Sequence, residues 1–163
     1  MSYKNVLVGI DGSRQAKLAF YKATEMAKTN RAALHLLAVI NGQKFPDSTP
    51  KGYGFADNSV YQPAIDEMKD QLAELKQIAE DAGIVKVATA VLIGNSKEDL
   101  AVKYSQQHDI DLLVVGATGL NSIGRLIVGS TAAYCVRVAK CDVTVVKTDN
   151  SNQPIEIKKS IHR

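Results

Sequence analysis

Val6-Leu7-Val8-Gly9-Ile10-Asp11-Gly12-Ser13 is the stretch that decides the fold of this chain. A short, nearly continuous apolar run fits a strand buried on both faces, as in a parallel sheet. Asp11-Gly12-Ser13 closes it. Ser13 then stands where an N-cap belongs, because its hydroxyl can accept a free backbone N–H of a first helical turn. The apolar positions that follow are Ala16, Ala19, Phe20, Ala23, Met26 and Ala27, three and four residues apart up to Asn30. That spacing is one stripe on a helix.

The same alternation repeats outward from this unit. Residues 33–40, 87–93, 112–115 and 143–146 read as four further strands. A second helix is marked by Ile65, Met68, Leu72, Leu75, Ala79 and Ala82, with Gly83 placed as a left-handed C-cap. Ser96-Lys97-Glu98-Asp99 reads as a weak capping box, opening a third helix that carries Leu100, Ala101 and Tyr104. A fourth begins near Gly129-Ser130 and carries Ala132, Ala133, Val136 and Ala139. Strands alternating with helices predict an α/β protein, with a five-stranded parallel sheet covered on both faces through right-handed crossovers.

Residues 1–148 read as one domain and 149–163 as a polar tail, with no internal repeat. Loop 41–63 breaks the rhythm, since connections in such domains commonly run about 4–6 residues. It leaves the carboxyl edge of the sheet, where ligands bind in open α/β folds. A lid and an insertion without a role fit it equally.

Composition narrows the function. The chain has 163 residues, enough for one well-formed core. Its net charge of +3 comes from 20 basic and 17 acidic residues spread along the chain. Nucleic-acid binding wants a basic patch or stripe instead. The basic run Lys158, Lys159 and Arg163 reads as a solvated terminus. No apolar run approaches the roughly 20 residues that span a bilayer. Cys135 and Cys141 have neither a disulfide framework nor a metal or redox spacing around them. No leader pattern precedes the first strand. The expectation is a reduced, soluble, cytoplasmic protein with no nucleic-acid or membrane partner.

The chemistry is concentrated in residues 116–131. Gly116 and Gly119 follow the fourth strand, where small residues let a backbone turn sharply and approach a ligand. Gly129 and Ser130 open the fourth helix, where free N–H groups and the helix dipole favour an anion. Phosphate cradling is the chemistry suggested. A P-loop does not fit, because Leu126 stands where the magnesium-binding hydroxyl belongs. A dinucleotide fingerprint does not fit either, since the glycines follow the fourth strand rather than the first.

Gly116-x2-Gly119-x9-Gly129-Ser130, with Val8-Gly9-Ile10-Asp11-Gly12-Ser13 at the amino end, resembles the ATP-binding branch of the universal stress protein family. The resemblance covers residues 3 to 147. It implies a Rossmann-like sheet of strand order 3-2-1-4-5 and a nucleotide, ATP or else ADP or AMP, with Mg²⁺. It gives Asp11 a place beside adenine and ribose, and Val39 a backbone contact with adenine. Gly116, Gly119, Gly129, Ser130 and Thr131 would hold ribose and phosphates. Ile10, Ala117 and Arg125 complete the candidate set, Arg125 as the one basic side chain inside the loop. A homodimer through Val143, Val145 and Val146 of the last strand is also implied. One departure is Lys140-Cys141-Asp142, where the family commonly has a proline before that strand.

Three functions remain open at this point: a nucleotide-binding stress or signalling protein, a slow ATPase or nucleotide-transfer enzyme, and a dimeric scaffold. His35, His108 and His162 are scattered, and none neighbours a nucleophile in sequence. Ser130 has no evident base, so a donor role is expected of it. Binding with little or no hydrolysis is the expectation. A response regulator shares the fold class, but the first strand here ends in a single acidic residue, and the third ends in Gly94 without an aspartate.

Overall fold

The structure, a computed structural model, describes residues 2–42, 58–117 and 128–147. Five strands, β1 (Asn5–Gly9), β2 (Ala33–Asn41), β3 (Val87–Gly94), β4 (Leu112–Gly116) and β5 (Asp142–Val146), form one sheet. Every pairing is parallel, and the spatial order is β3-β2-β1-β4-β5. The expected open sheet and its order 3-2-1-4-5 are both observed.

Side chains along a strand alternate between faces, and the apolar runs therefore feed two cores. Val6, Val8, Leu34 and Leu36 point to one face, against α1 (Arg14–Asn30) and α2 (Gln62–Asp81). Phe20 and Leu72 are the largest helical contributions there. Leu7, Leu37, Leu113 and Val115 point to the other face. They meet Leu100, Ala101 and Tyr104 from the third helix and Ala132 and Cys135 of α5 (Ser130–Val138).

The third helix is not uniform. It comprises α3 (Ser96–Glu98), a π-helical stretch (Asp99–Lys103) and α4 (Tyr104–Gln107). The Ser105 hydroxyl donates to the Leu100 carbonyl, five residues back. Its cap also differs from the expectation. Asn95, not Ser96, is the N-cap: its Oδ1 accepts from the N–H groups of Lys97 (3.0 Å) and Glu98 (3.3 Å). Asp99 reaches back to accept from the Asn95 N–H at 3.1 Å, which makes the capping reciprocal.

Other boundaries shift for local reasons. β2 runs through Asn41, and α2 starts at Gln62 after a short 3₁₀ turn (Asn58–Val60), so the connection is shorter than 41–63. Pro63 sits in the first turn of α2, where its missing N–H costs nothing. In α5 the buried stripe is Ala132 and Cys135, whereas Ala133 is exposed and Val136 is 56% exposed. The remainder of loop 41–63 and the tail 149–163 lie outside the described residues.

Three helices end in the same way, in a left-handed residue followed by paired return bonds. Gly83 (φ 103°) serves α2, with Gly83 N–H to Glu80 and Ile84 N–H to Ala79. Arg31 (φ 55°) serves α1 and Asp109 (φ 51°) serves α4, although neither is glycine. A non-glycine side chain in that conformation is strained. Arg31→Gly is therefore expected to stabilise the protein by about 0.5–1 kcal/mol, net of the extra freedom glycine brings to the unfolded chain. Urea denaturation would measure it, and no gain would mean that the Arg31 side chain offsets the strain.

Candidate functional site

Chain direction organises the site. From β1 the chain crosses one way to β2 and β3, and β4 lies on the other side of β1 with β5 beyond it. Such a switch point opens a crevice at the carboxyl ends of the two central strands. A cavity of about 270 Å³ lies there. The ends of β1 and β4 supply Ile10, Asp11 and Gly116, β2 supplies Val39, and the start of α5 supplies Gly129, Ser130 and Thr131. Seven of the ten candidate residues are thus gathered around one cavity, from four separate elements.

The other three are placed differently. Ala117 is buried, does not line the cavity, and donates its N–H to the Val146 carbonyl at 2.9 Å. It ties β4 to β5 instead. Gly119 and Arg125 lie outside the described residues.

Sequence reasoning missed part of the wall. Leu37 and Asn41 line the cavity, two residues before and after Val39 on the same face of β2. That period of two was an available signal. Ser96 and Leu100 of the third helix also line it, as do Ser13 and Gln15 of the first turn. Asn41 Oδ1 accepts from the Ser96 N–H at 3.2 Å, which fixes the start of the third helix against the end of β2. No pattern in the sequence announces that bond.

Three helices present their N-termini to this cavity; Asn95 caps the third helix with its side chain, and α1 and α5 differ in one decisive respect. At α1, Asp11 Oδ1 accepts from the Ser13 N–H at 2.9 Å, and Ser13 Oγ accepts from the Ala16 N–H at 3.1 Å. The chain caps that helix with its own oxygens. The N-cap of α5 is Gly129, which has no side chain to offer, and its first turn carries no acidic residue. The first-turn N–H groups of α5 therefore have no side-chain cap among the described residues. Such a terminus favours an external anion. The exposed Asp11 carboxylate faces the same cavity, so negative charge is favoured at α5 and disfavoured near β1.

Gly116 has a structural reason of its own. A Cβ placed on it would stand 2.8 Å from the Gln15 carbonyl oxygen and 3.0 Å from its carbon. Only glycine lets β4 pass that close to the first turn of α1.

The histidines and cysteines among the described residues lie away from this cavity. His35 is buried and bonds Tyr104, and no histidine lines the cavity among the described residues. Burial pushes the Cys135 thiol up to about 11, which leaves it protonated and unreactive at neutral pH. No group of three His, Cys, Asp or Glu side chains is assembled to hold a metal ion among the described residues. Among them, too, no helix is long and apolar enough to cross a membrane.

The family model described as the universal stress protein family matches residues 2–147. A Staphylococcus haemolyticus protein assigned by name to the universal stress proteins is 33% identical over 149 residues, covering 91% of this chain and 87% of its own. Universal stress protein UspA from Lactobacillus plantarum superposes with a TM-score of 0.76 at 31% identity, over 89% of this chain and 98% of that one. A universal stress protein solved in complex with cAMP gives a TM-score of 0.67 at 25% identity, over 90% and 98%. The match spans every described strand and helix, and the chain belongs to the universal stress protein family.

Proposed function

We propose that this protein binds an adenine nucleotide, ATP in the first instance, and acts in the cytoplasm as a homodimeric stress-response or signalling protein with little or no hydrolysis. One observation carries this: a helix N-terminus without a side-chain cap among the described residues faces a glycine strand end and the Asp11 carboxylate across one cavity. The phosphates take the α5 end, at Gly129, Ser130 and Thr131, where N–H groups lack a cap. Adenine and ribose take the β1–β2 end, beside Asp11 and Val39, away from the charge that Asp11 would set against a phosphate. The relative solved with cAMP supports an adenine nucleotide as the ligand class. Gly119 and Arg125 join the phosphate side by the spacing of the glycine motif. Asp11 is a single carboxylate already accepting the Ser13 N–H, so Mg²⁺ would arrive with the phosphates rather than be held by the protein. The dimer would form through β5, which pairs with β4 alone among the described strands and offers Val143, Val145 and Val146 near an open edge.

Calorimetric titration of nucleotide-free protein with ATP, AMP and adenosine, with and without Mg²⁺, tests the assignment. ATP and AMP should bind and adenosine much more weakly. Saturation at a hundredfold excess over Kd should raise stability by about 2.7 kcal/mol. Adenosine binding as tightly as AMP would remove α5 from the phosphate role. Failure of all three would end the nucleotide reading. Steady phosphate release from bound ATP would favour the slow ATPase instead.

A further inference from the structure

The helix that walls the nucleotide cavity at its start encloses a buried titratable cluster at its end. His35 is 5% exposed, and its Nδ1 lies 3.0 Å from the Tyr104 hydroxyl. Its Nε2 is buried and has no hydrogen-bond partner among the described residues. Tyr104 is itself buried and stacks on His108, with ring centroids 3.9 Å apart and an interplanar angle of 26°. The His108 ring lies 5.6 Å from His35.

A proton on His35 would place a cation in the core with one N–H unanswered. Among the described residues no carboxylate acts on it to compensate. Tyr104 and His108 face it from α4 and its end, and Lys86 acts on it from just before β3. Its register partners on the flanking strands, Leu7 and Ala88, are apolar. None of the charged groups acting on it is a carboxylate. Burial, His108 and Lys86 all hold its imidazole below the ordinary histidine value. The sign follows: the closed form binds fewer protons than a form with His35 in water. Closure is fully stable above about pH 6.5 and weakens as pH falls below it.

We propose that the cluster of His35, Tyr104 and His108 is an acid-sensitive latch that holds helix 96–107 on the sheet and couples proton uptake to loosening of the nucleotide cavity. The coupling runs along one continuous helical segment. Ser96 and Leu100 line the cavity, and Tyr104, at the other end of the same helix, holds His35. His35, Leu37 and Val39 share one face of β2, so the latch and the cavity have a common floor. This proposal rests on the nucleotide reading for its consequence but not for its mechanism.

Amide hydrogen exchange of helix 96–107, referenced to α1 in the same molecule, separates the two. Between about pH 7.5 and about pH 5 the opening equilibrium of that helix should rise by up to about thirtyfold, the protonation factor of an ordinary histidine. In His35→Gln the rise should vanish, since the buried imidazole that would take up the proton is gone. The ratio of ATP Kd at acid to neutral pH should be larger in the parent than in His35→Gln. The ligand's own titration is common to both proteins. Equal exchange profiles in the two proteins would overturn the latch. An intact exchange difference without ATP binding at any pH would overturn the nucleotide reading and the coupling with it. Should the variant fail to fold, the parent's ring resonances decide. A His35 that stays neutral near pH 5 in closed protein supports the latch, and one that protonates near 6.5 with unchanged exchange overturns it.

Discussion

Gly116→Ala is expected to destabilise the protein by about 2–3 kcal/mol with no nucleotide present. The backbone there is not left-handed, so conformational freedom is not the issue. The added methyl would meet the Gln15 carbonyl oxygen at 2.8 Å, its carbon at 3.0 Å and its Cβ at 3.2 Å. Two of those atoms are backbone in the first turn of α1, a turn pinned by the Ser13 cap. Relief requires α1 to move off β4, and that opens the core around Phe20 and Val114. Gly9→Ala is the control. Its methyl would stand 3.0 Å from Leu100 Cδ1, the far end of a flexible side chain, and should cost clearly less. Urea midpoints of the three proteins measure the difference. If Gly116→Ala unfolds with the parent and loses only ATP binding, the glycine serves the ligand and not the packing.

That result bears on how much the sequence could say. The two central strands were legible because both faces of β1 and β4 are buried, which writes an uninterrupted apolar run into Val6-Leu7-Val8 and Leu112-Leu113-Val114-Val115. α1 and α2 were legible because each buries one stripe against one core. The helix ends were legible only where the residue type is diagnostic. Gly83 announced itself, while Arg31 and Asp109 adopt the same left-handed turn with side chains that signal nothing. The third helix was misread at its cap because Ser96 and Asn95 are both good caps, and only the reach of Asp99 selects between them. In the site, residues at strand ends could be placed by topology. The wall formed by Asn41 and Ser96 could not, because the two are 55 residues apart and their bond has no sequence period. Gly116 and Ala117 are adjacent and were read alike. The structure separates them, one at the cavity and the other committed to β5 through the Val146 carbonyl.

Ser130→Glu separates stability from binding more sharply than any truncation would. Ser130 is the first residue of α5, exposed, after a glycine cap that leaves the first turn without an acidic group. A carboxylate there answers free N–H groups and the positive end of the helix dipole. The empty protein should gain about 0.3–1 kcal/mol. The same charge then occupies the position that a phosphate would take. At an effective dielectric constant near 20, two unit charges about 4 Å apart repel by about 4 kcal/mol. ATP affinity should therefore fall by at least about a hundredfold, and adenosine affinity should change little. Thermal denaturation of the nucleotide-free protein and parallel titrations with ATP and adenosine read both effects. Opposite signs would mean that α5 is kept uncapped at a cost in stability because a ligand supplies the missing anion. Gain of stability with ATP binding intact would move the phosphates elsewhere in the cavity. Loss of stability would mean that the first turn of α5 is already satisfied, and the electrostatic basis for the site would fall with it.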